Sequence, residues 1–343
     1  MNINFGVKAA FFSTLIILLL PFTMSGQAPT VVVRYDNSSV YTSGFSKVRA
    51  TSDGGFLATG SSGLLGWVTK FDSNLNVLWT FSIDSIPMRD AVETNDGNYV
   101  ILGLSYRTDY PNNPLYILKT TPAGVVIFQK RYYDGTLNNA LTAEGVCKAA
   151  GTDQGFVFYG GNCIASQYAI KCDVNGVVQW EKNNLGMGPG FISTMVPDGN
   201  GYVGSFSYLY NSMGHPGIIR LDANGLVTAV KTFQTAASIQ LYSGSLVKLN
   251  SGGFAVISSP NDIYGVTIIT VDAAFGNVTC NRIVSSAQLY LSGNFATMNA
   301  SDEIVVLGGA GIGYAAAIQV NPFTGVISAM KNNSSGLGQA DQG

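Results

Sequence analysis

The chain contains one histidine, His215, set between Gly214 and Pro216. An imidazole-based zinc or copper site needs several histidines. A Ser-His-Asp triad would have to form around this one residue, with no G-x-S-x-G turn to present a serine. With glycine and proline on either side, His215 reads as a surface-loop residue. There are four cysteines, Cys147, Cys163, Cys172 and Cys280, and their spacing is not that of metal ligands. In an oxidising compartment a disulfide among the first three is open, although Cys172 falls beyond the position opposite Cys163, so a bridge there needs a bulge. Cys280 reads as a lone buried thiol. The turns Asp173–Gly176 and Asp222–Gly225 offer alternating oxygens. A calcium loop supplies about six or more oxygen ligands, and each of these turns supplies two side chains. Asn-Gly between apolar runs is a hairpin signal, because both residues accept positive φ. No metal and no cofactor is expected. A pair of carboxylates brought together from distant segments stays open as a polysaccharide-cleaving centre.

Whatever site exists must be positioned by a repeat. DGGFLATG, DGNYVILG, DQGFVFYG, GNGYVGSF, SGGFAVIS and SDEIVVLG place Phe56, Tyr99, Phe156, Tyr202, Phe254 and Ile304 in equivalent positions, about fifty residues apart. A second turn follows in each copy: FDSNLNVLW, TTPAGVVIF, CDVNGVVQW, LDANGLVTA, VDAAFGNVT and VNPFTGVIS. Short β-branched and aromatic runs bounded by Gly, Asn, Asp and Pro read as four strands per copy. Four strands in about fifty residues describe one blade of a β-propeller. The expected fold is therefore all-β, a propeller of about six four-stranded blades. Charged residues make up 11% of the chain, hydrophobic residues 46%, and there are 41 glycines, an ordered composition and not a disordered one. A net charge of −2 gives no electrostatic reason to expect nucleic acid. Ahead of the repeats, Ala9 to Leu20 is apolar, shorter than the roughly 20 residues that span a bilayer, and is followed by small residues at Gly26 and Ala28. It reads as a cleaved secretory signal peptide. The expected division is 1–28 signal peptide, 29–332 propeller and 333–343 flexible link. The expected location is outside the cell or on its surface, without a transmembrane segment and as a monomer.

DGGFLATG with FDSNLNVLW, and DQGFVFYG with CDVNGVVQW, resemble the blades of secreted β-propeller repeat proteins common among Bacteroidetes, which read DGG-aromatic and then D-x-N-G-x-x-x-W. The resemblance covers nearly all of the chain after residue 28. The turn-plus-Trp element also resembles quinoprotein-like repeats, and DEIVVLGGAG with VNPFTGVIS resembles a kelch blade. The histidine ligands of kelch-type copper oxidases and the adjacent cysteine pair of quinoprotein dehydrogenases are missing, so no catalytic role carries over to a residue here.

In a four-stranded meander both landmark turns lie on one face of the disc, and the hairpins between second and third strands lie on the other. The second face varies in length. Its insertions hold Tyr106, Arg107, Asp109, Tyr110 and Asn112 in the second repeat, and Tyr208, Tyr210 and His215 in the fourth. Tyr, Arg and Asn suit binding at low entropic cost. The expected function is a non-catalytic propeller binding a protein or glycan on that face. A hydrolase or lyase with acidic residues at the central channel, and a structural spacer, are the alternatives. Val31 to Tyr35 matches a fourth strand with no first three of its own, while the sixth repeat supplies its own fourth strand, Val326 to Lys331. Six blades in an imperfectly closed ring, with Val31 to Tyr35 as a spare edge or with a seventh blade lying beyond the chain, is the expectation.

Overall fold

In the computed structural model each repeat is an antiparallel meander of four strands. The structure describes residues 14–16, 33–35, 43–105, 114–132, 141–162, 167–210, 213–234, 241–260, 265–284, 295–299, 301–310 and 314–333. Blade 1 is Ser43–Ala50, Phe56–Ser62, Leu65–Phe71 and Val77–Ile83; blade 2 is Met88–Glu93, Tyr99–Leu104, Leu115–Thr120 and Val126–Tyr132. Blade 3 is Leu141–Lys148, Phe156–Asn162, Gln167–Cys172 and Val178–Asn183; blade 4 is Gly190–Asp198, Gly201–Tyr210, Met213–Leu221 and Val227–Thr232. Blade 5 is Leu241–Lys248, Phe254–Pro260, Gly265–Val271 and Val278–Val284; blade 6 is Phe295–Met298, Ile304–Ala310, Tyr314–Val320 and Ile327–Asn333. Blades 1, 2, 5 and 6 are separate four-stranded sheets. Blades 3 and 4 form one eight-stranded sheet, joined among the described residues by the pairing of Gly161 with Phe191. The fold is an all-β propeller, and no helix among the described residues is long and apolar enough to cross a membrane.

The apolar pattern explains the stacking. Second and third strands are buried along their whole length in blade 2, because each blade packs on the blade before it and the blade after. Fourth strands alternate between exposed and half-buried, as an outer edge must. Five clusters knit successive blades. Leu57 and Val68 meet Tyr99 and Ile101; Val100 and Ile117 meet Val146 and Phe158; Tyr159 and Ala169 meet Ile192 and Phe206. Val203 and Ile218 meet Leu246 and Val256, and Ile257 and Ile268 meet Val306 and Ile318. The flank of blade 1 turned away from blade 2, with Ala58, Trp67 and Phe71, is buried too.

The second landmark turn latches blades 2 and 4 to their predecessors through a tryptophan. Trp79 of blade 1 donates its indole N–H to Pro122 O at 2.9 Å and lies under Gly124, where a Cβ would come within 3.0 Å of the ring. Trp180 of blade 3 repeats this beneath blade 4, with Ala223 O at 2.9 Å and Gly225 above the ring. At the next seam the volumes are exchanged. Ala229 occupies the Trp position, each of the three pairing with the residue two before its turn's first Asp, namely Lys70, Lys171 and Arg220. Phe275 stands in the glycine position at φ 63°, buried against Phe254 with ring centroids 6.1 Å apart.

Three local features refine or correct the sequence reading. In the Asp-x-Asn-Gly turns only the last residue has positive φ, 69° at Gly176 and 74° at Gly225. The turn is thus a type I turn followed by a left-handed residue, closed by Gly176 N to Asp173 O at 3.0 Å. His215 is not in a loop. It sits within Met213–Leu221 directly across from Tyr208, and only 4% of it is exposed. Pro216 is tolerated because the ladder to the fourth strand stops at Gly217 and Pro216 meets the chain beyond it as an acceptor, taking Phe233 N–H on its carbonyl at 3.0 Å, so no N–H is required of it. Finally, Val33–Tyr35 pairs with Thr14–Ile16 in a two-stranded sheet and joins no blade among the described residues. The sixth blade does carry its own fourth strand.

Candidate functional site

Successive first strands lie against one another around the ring and line its axis. Asp90, on the first strand of blade 2, is fully buried there and gathers bonds from three blades. Arg49 donates from Nε to Oδ1 at 3.1 Å and from Nη2 to Oδ2 at 2.9 Å, and Lys47 reaches Oδ2 at 3.2 Å. The Ala91 N–H donates at 2.9 Å and the Val146 N–H of blade 3 at 3.1 Å. Lys47 also donates to Glu144 O at 2.9 Å. Burial opposes the charge on Asp90, but the Arg49 and Lys47 cations outweigh it and hold the carboxyl below its ordinary value. Burial pushes Lys47 below the usual lysine value against the pull of Asp90, and Asp90 raises Arg49 further. The group is a three-blade ion cluster with its acceptor sites filled.

Towards the landmark face the last residues of these strands wall a cavity of about 270 Å³, with Arg49, Glu93, Val146, Lys148 and Met195 on its sides. Glu93 accepts Ser52 N–H at 2.6 Å and the Ser52 hydroxyl at 2.5 Å. Cys147, also on the wall, has its thiol pushed up to about 12 by burial, so it is protonated at neutral pH. A shallower hollow of about 430 Å³ on the same face lies over Asp198, Arg220, Asp222 and Ala273. Arg220 there sits 4.7 Å from the Phe275 ring centroid.

The first landmark turn carries a recurring ion pair. Asp53 pairs with Lys70 at 2.8 Å, Asp96 with Lys119 at 2.6 Å, Asp153 with Lys171 at 2.5 Å and Asp198 with Arg220 at 3.3 Å. Lys70 and Lys119 are buried side chains. Burial opposes the charge on Asp53 and Asp96, yet hydrogen bonds from the lysines and from Thr51 and Thr94 hold both at about 2. The aspartates of the second turns serve the backbone: Asp173 accepts Asn175 N–H at 2.9 Å and Val177 N–H at 2.8 Å, and Asp222 does the same for Asn224 and Leu226 at 2.8 Å each. Their oxygens are engaged in turn geometry.

Of the residues singled out for binding, Tyr106, Arg107, Asp109, Tyr110 and Asn112 lie outside the described residues. Tyr210 ends a strand, and its side chain is also outside them. Tyr208 and His215 come together, with ring centroids 5.4 Å apart, but Tyr208 is buried in the core between blades 3 and 4. Cys147 and Cys172 are free buried thiols, Cys163 lies outside the described residues, and Cys280 is exposed where a buried thiol was expected. Its strand is the outer one of blade 5, half open to solvent. The Asp–Lys pairs had a visible signal, a basic residue two before the second turn in each of the first four repeats. The Asp90 cluster had none, because its partners lie on three different blades.

No family model matches the chain, and no curated protein matches it in sequence. Solved structures match in fold. The Dos1 propeller is 14% identical with a TM-score of 0.52, over 84% of this chain and 75% of that one. The α-L-arabinofuranosidase Arb93A from Fusarium graminearum is 12% identical with a TM-score of 0.53, over 72% and 80%. The β-propeller domain of the Trilobed protease from Pyrococcus furiosus, with an open velcro topology, is 9% identical with a TM-score of 0.50, over 87% and 84%. At these identities the likeness establishes the propeller fold.

Proposed function

We propose that the protein is an exported or cell-surface propeller that binds a protein or glycan partner on the face of the hairpins between second and third strands, without transforming it. The observation that carries the reading is the saturation of Asp90. A carboxyl acting as acid or base must exchange a proton with substrate, and this one has its oxygens occupied by two cations and two backbone N–H groups. The choice of face rests on variation between blades. That connection is short in blade 1, from Ser62 to Leu65, and long in blade 2, from Leu104 to Leu115, while the landmark turns are short and spend their aspartates on backbone N–H groups and on ion pairs within the blade. Export rests on the apolar segment ahead of the repeats.

The test is a glycan array and a pull-down with the exported protein, run beside a polysaccharide activity screen. A retained ligand, weakened by Tyr106→Ala and Tyr110→Ala with no change in unfolding temperature, is the expected result. Release of shortened or unsaturated saccharides would move the protein to the hydrolase or lyase class.

A further inference from the structure

We infer that the axial cavity on the landmark face is a binding site for the free C-terminal carboxylate of a peptide ending in a small aliphatic residue. The site is on the opposite face from the variable hairpins and stands apart from the reading above. Arg49 supplies the anion-recognising group. Its Nε and Nη2 are committed to Asp90, which fixes the guanidinium plane, and Nη1 makes no hydrogen bond among the described residues. A guanidinium held by a buried carboxylate loses little freedom when it takes a second one. Lys148, exposed on the rim of the same cavity, makes no ion pair among the described residues. Glu93 is the acidic group on the wall, and both its oxygens are held by Ser52. The protonated Cys147 adds no charge.

Size and lining select the ligand. About 270 Å³ is below the roughly 300–1,000 Å³ of pockets for drug-sized ligands, and suits one amino-acid residue better than an oligosaccharide. The remaining wall is aliphatic, with Val92, Val146, Met195 and Val196, and among the described residues no aromatic ring lines it for a sugar to stack on. A carboxylate set between Arg49 and Lys148 would place a terminal Val or Ala side chain against these residues, a mode of capture that chain termini use elsewhere.

The experiment is calorimetric titration of the full chain with N-acetylated tripeptides ending in valine, as free acid and as amide, and with galacturonate oligomers. The free acid is expected to bind, and amidation or Lys148→Glu to weaken it by roughly tenfold or more. Lys148 is exposed, so the variant should keep its unfolding temperature. Added salt should weaken binding, and Tyr110→Ala should leave it unchanged. Equal binding of acid and amide, no effect of Lys148→Glu, binding of galacturonate but not of the peptide, or no binding at all would each overturn the inference.

Discussion

Asp90 shows how a residue that looks catalytic in position is structural in its bonding. Removing it strands Arg49 and Lys47 at the axis without their anion, and breaking one side of a buried ion cluster costs about 3–5 kcal/mol. Asp90→Ala is therefore expected to lower the unfolding free energy from urea titration by that amount, a loss visible whether or not any ligand is bound. The turn aspartates make a pH prediction. Asp96 is held at about 2 in the folded protein, below the roughly 3.9 of an unfolded chain. A depressed carboxyl adds stability that is fully present above the unfolded value and is lost as pH falls through the folded one. Urea midpoints should be steady from pH 7 to about 4.5 and fall steeply between about 4 and 2. Asp96→Asn should be less stable at pH 7, because Lys119 is buried, and should show a shallower acid limb than the parent. A parallel shift of the whole curve would mean that Asp96 does not titrate as described.

At the scale of strands and turns, much was legible because each turn states its own geometry. Asp173 and Asn175, or Asp222 and Asn224, name a turn wherever they stand between apolar runs, and the aromatics at Phe56 and Tyr99 mark second strands by their interval. Seam chemistry was not legible, since Trp79 and Gly124 make sense only as a pair from different blades. The exchange of Trp and Gly for Ala229 and Phe275 likewise makes sense only with blades 4 and 5 side by side. His215 was misread for a related reason. Glycine and proline beside it are turn residues in most contexts, and only the long fourth-blade hairpin puts them on a strand edge. The seam predicts a rescue. Gly124→Ala should destabilise by about 1–3 kcal/mol, from the strained positive φ and the Trp79 ring. Phe275→Gly alone should cost about 3 kcal/mol or more through a lost core aromatic. Adding Ala229→Trp to Phe275→Gly should recover part of that loss by rebuilding the latch seen at Gly124 and Gly225. Additive losses in a double-mutant cycle would contradict the pairing. Tyr208→Ala is expected to destabilise the protein, because this tyrosine packs in the core between blades 3 and 4 and is not a free contact residue.

For the whole molecule, the repeat made the propeller readable, and its first strands bring Arg49, Asp90 and Val146 together at the axis from three blades. The composition of the ring says little about its partner, because function on such a scaffold lies in sites and not in the fold. The proposed export makes its own prediction: N-terminal sequencing of protein recovered outside the cell should begin near Gln27 or Pro29, and recovery of Met1 would remove the signal-peptide reading. The central claim is that the ring holds its ligand and does not transform it. Native mass spectrometry of the exported protein with its array-selected ligand, after prolonged incubation at neutral pH, tests this most directly. The expected result is a complex at the summed mass of protein and intact ligand, with intact ligand recovered on dissociation. Free ligand that is shorter by hydrolysis, or lighter by elimination, would contradict the account.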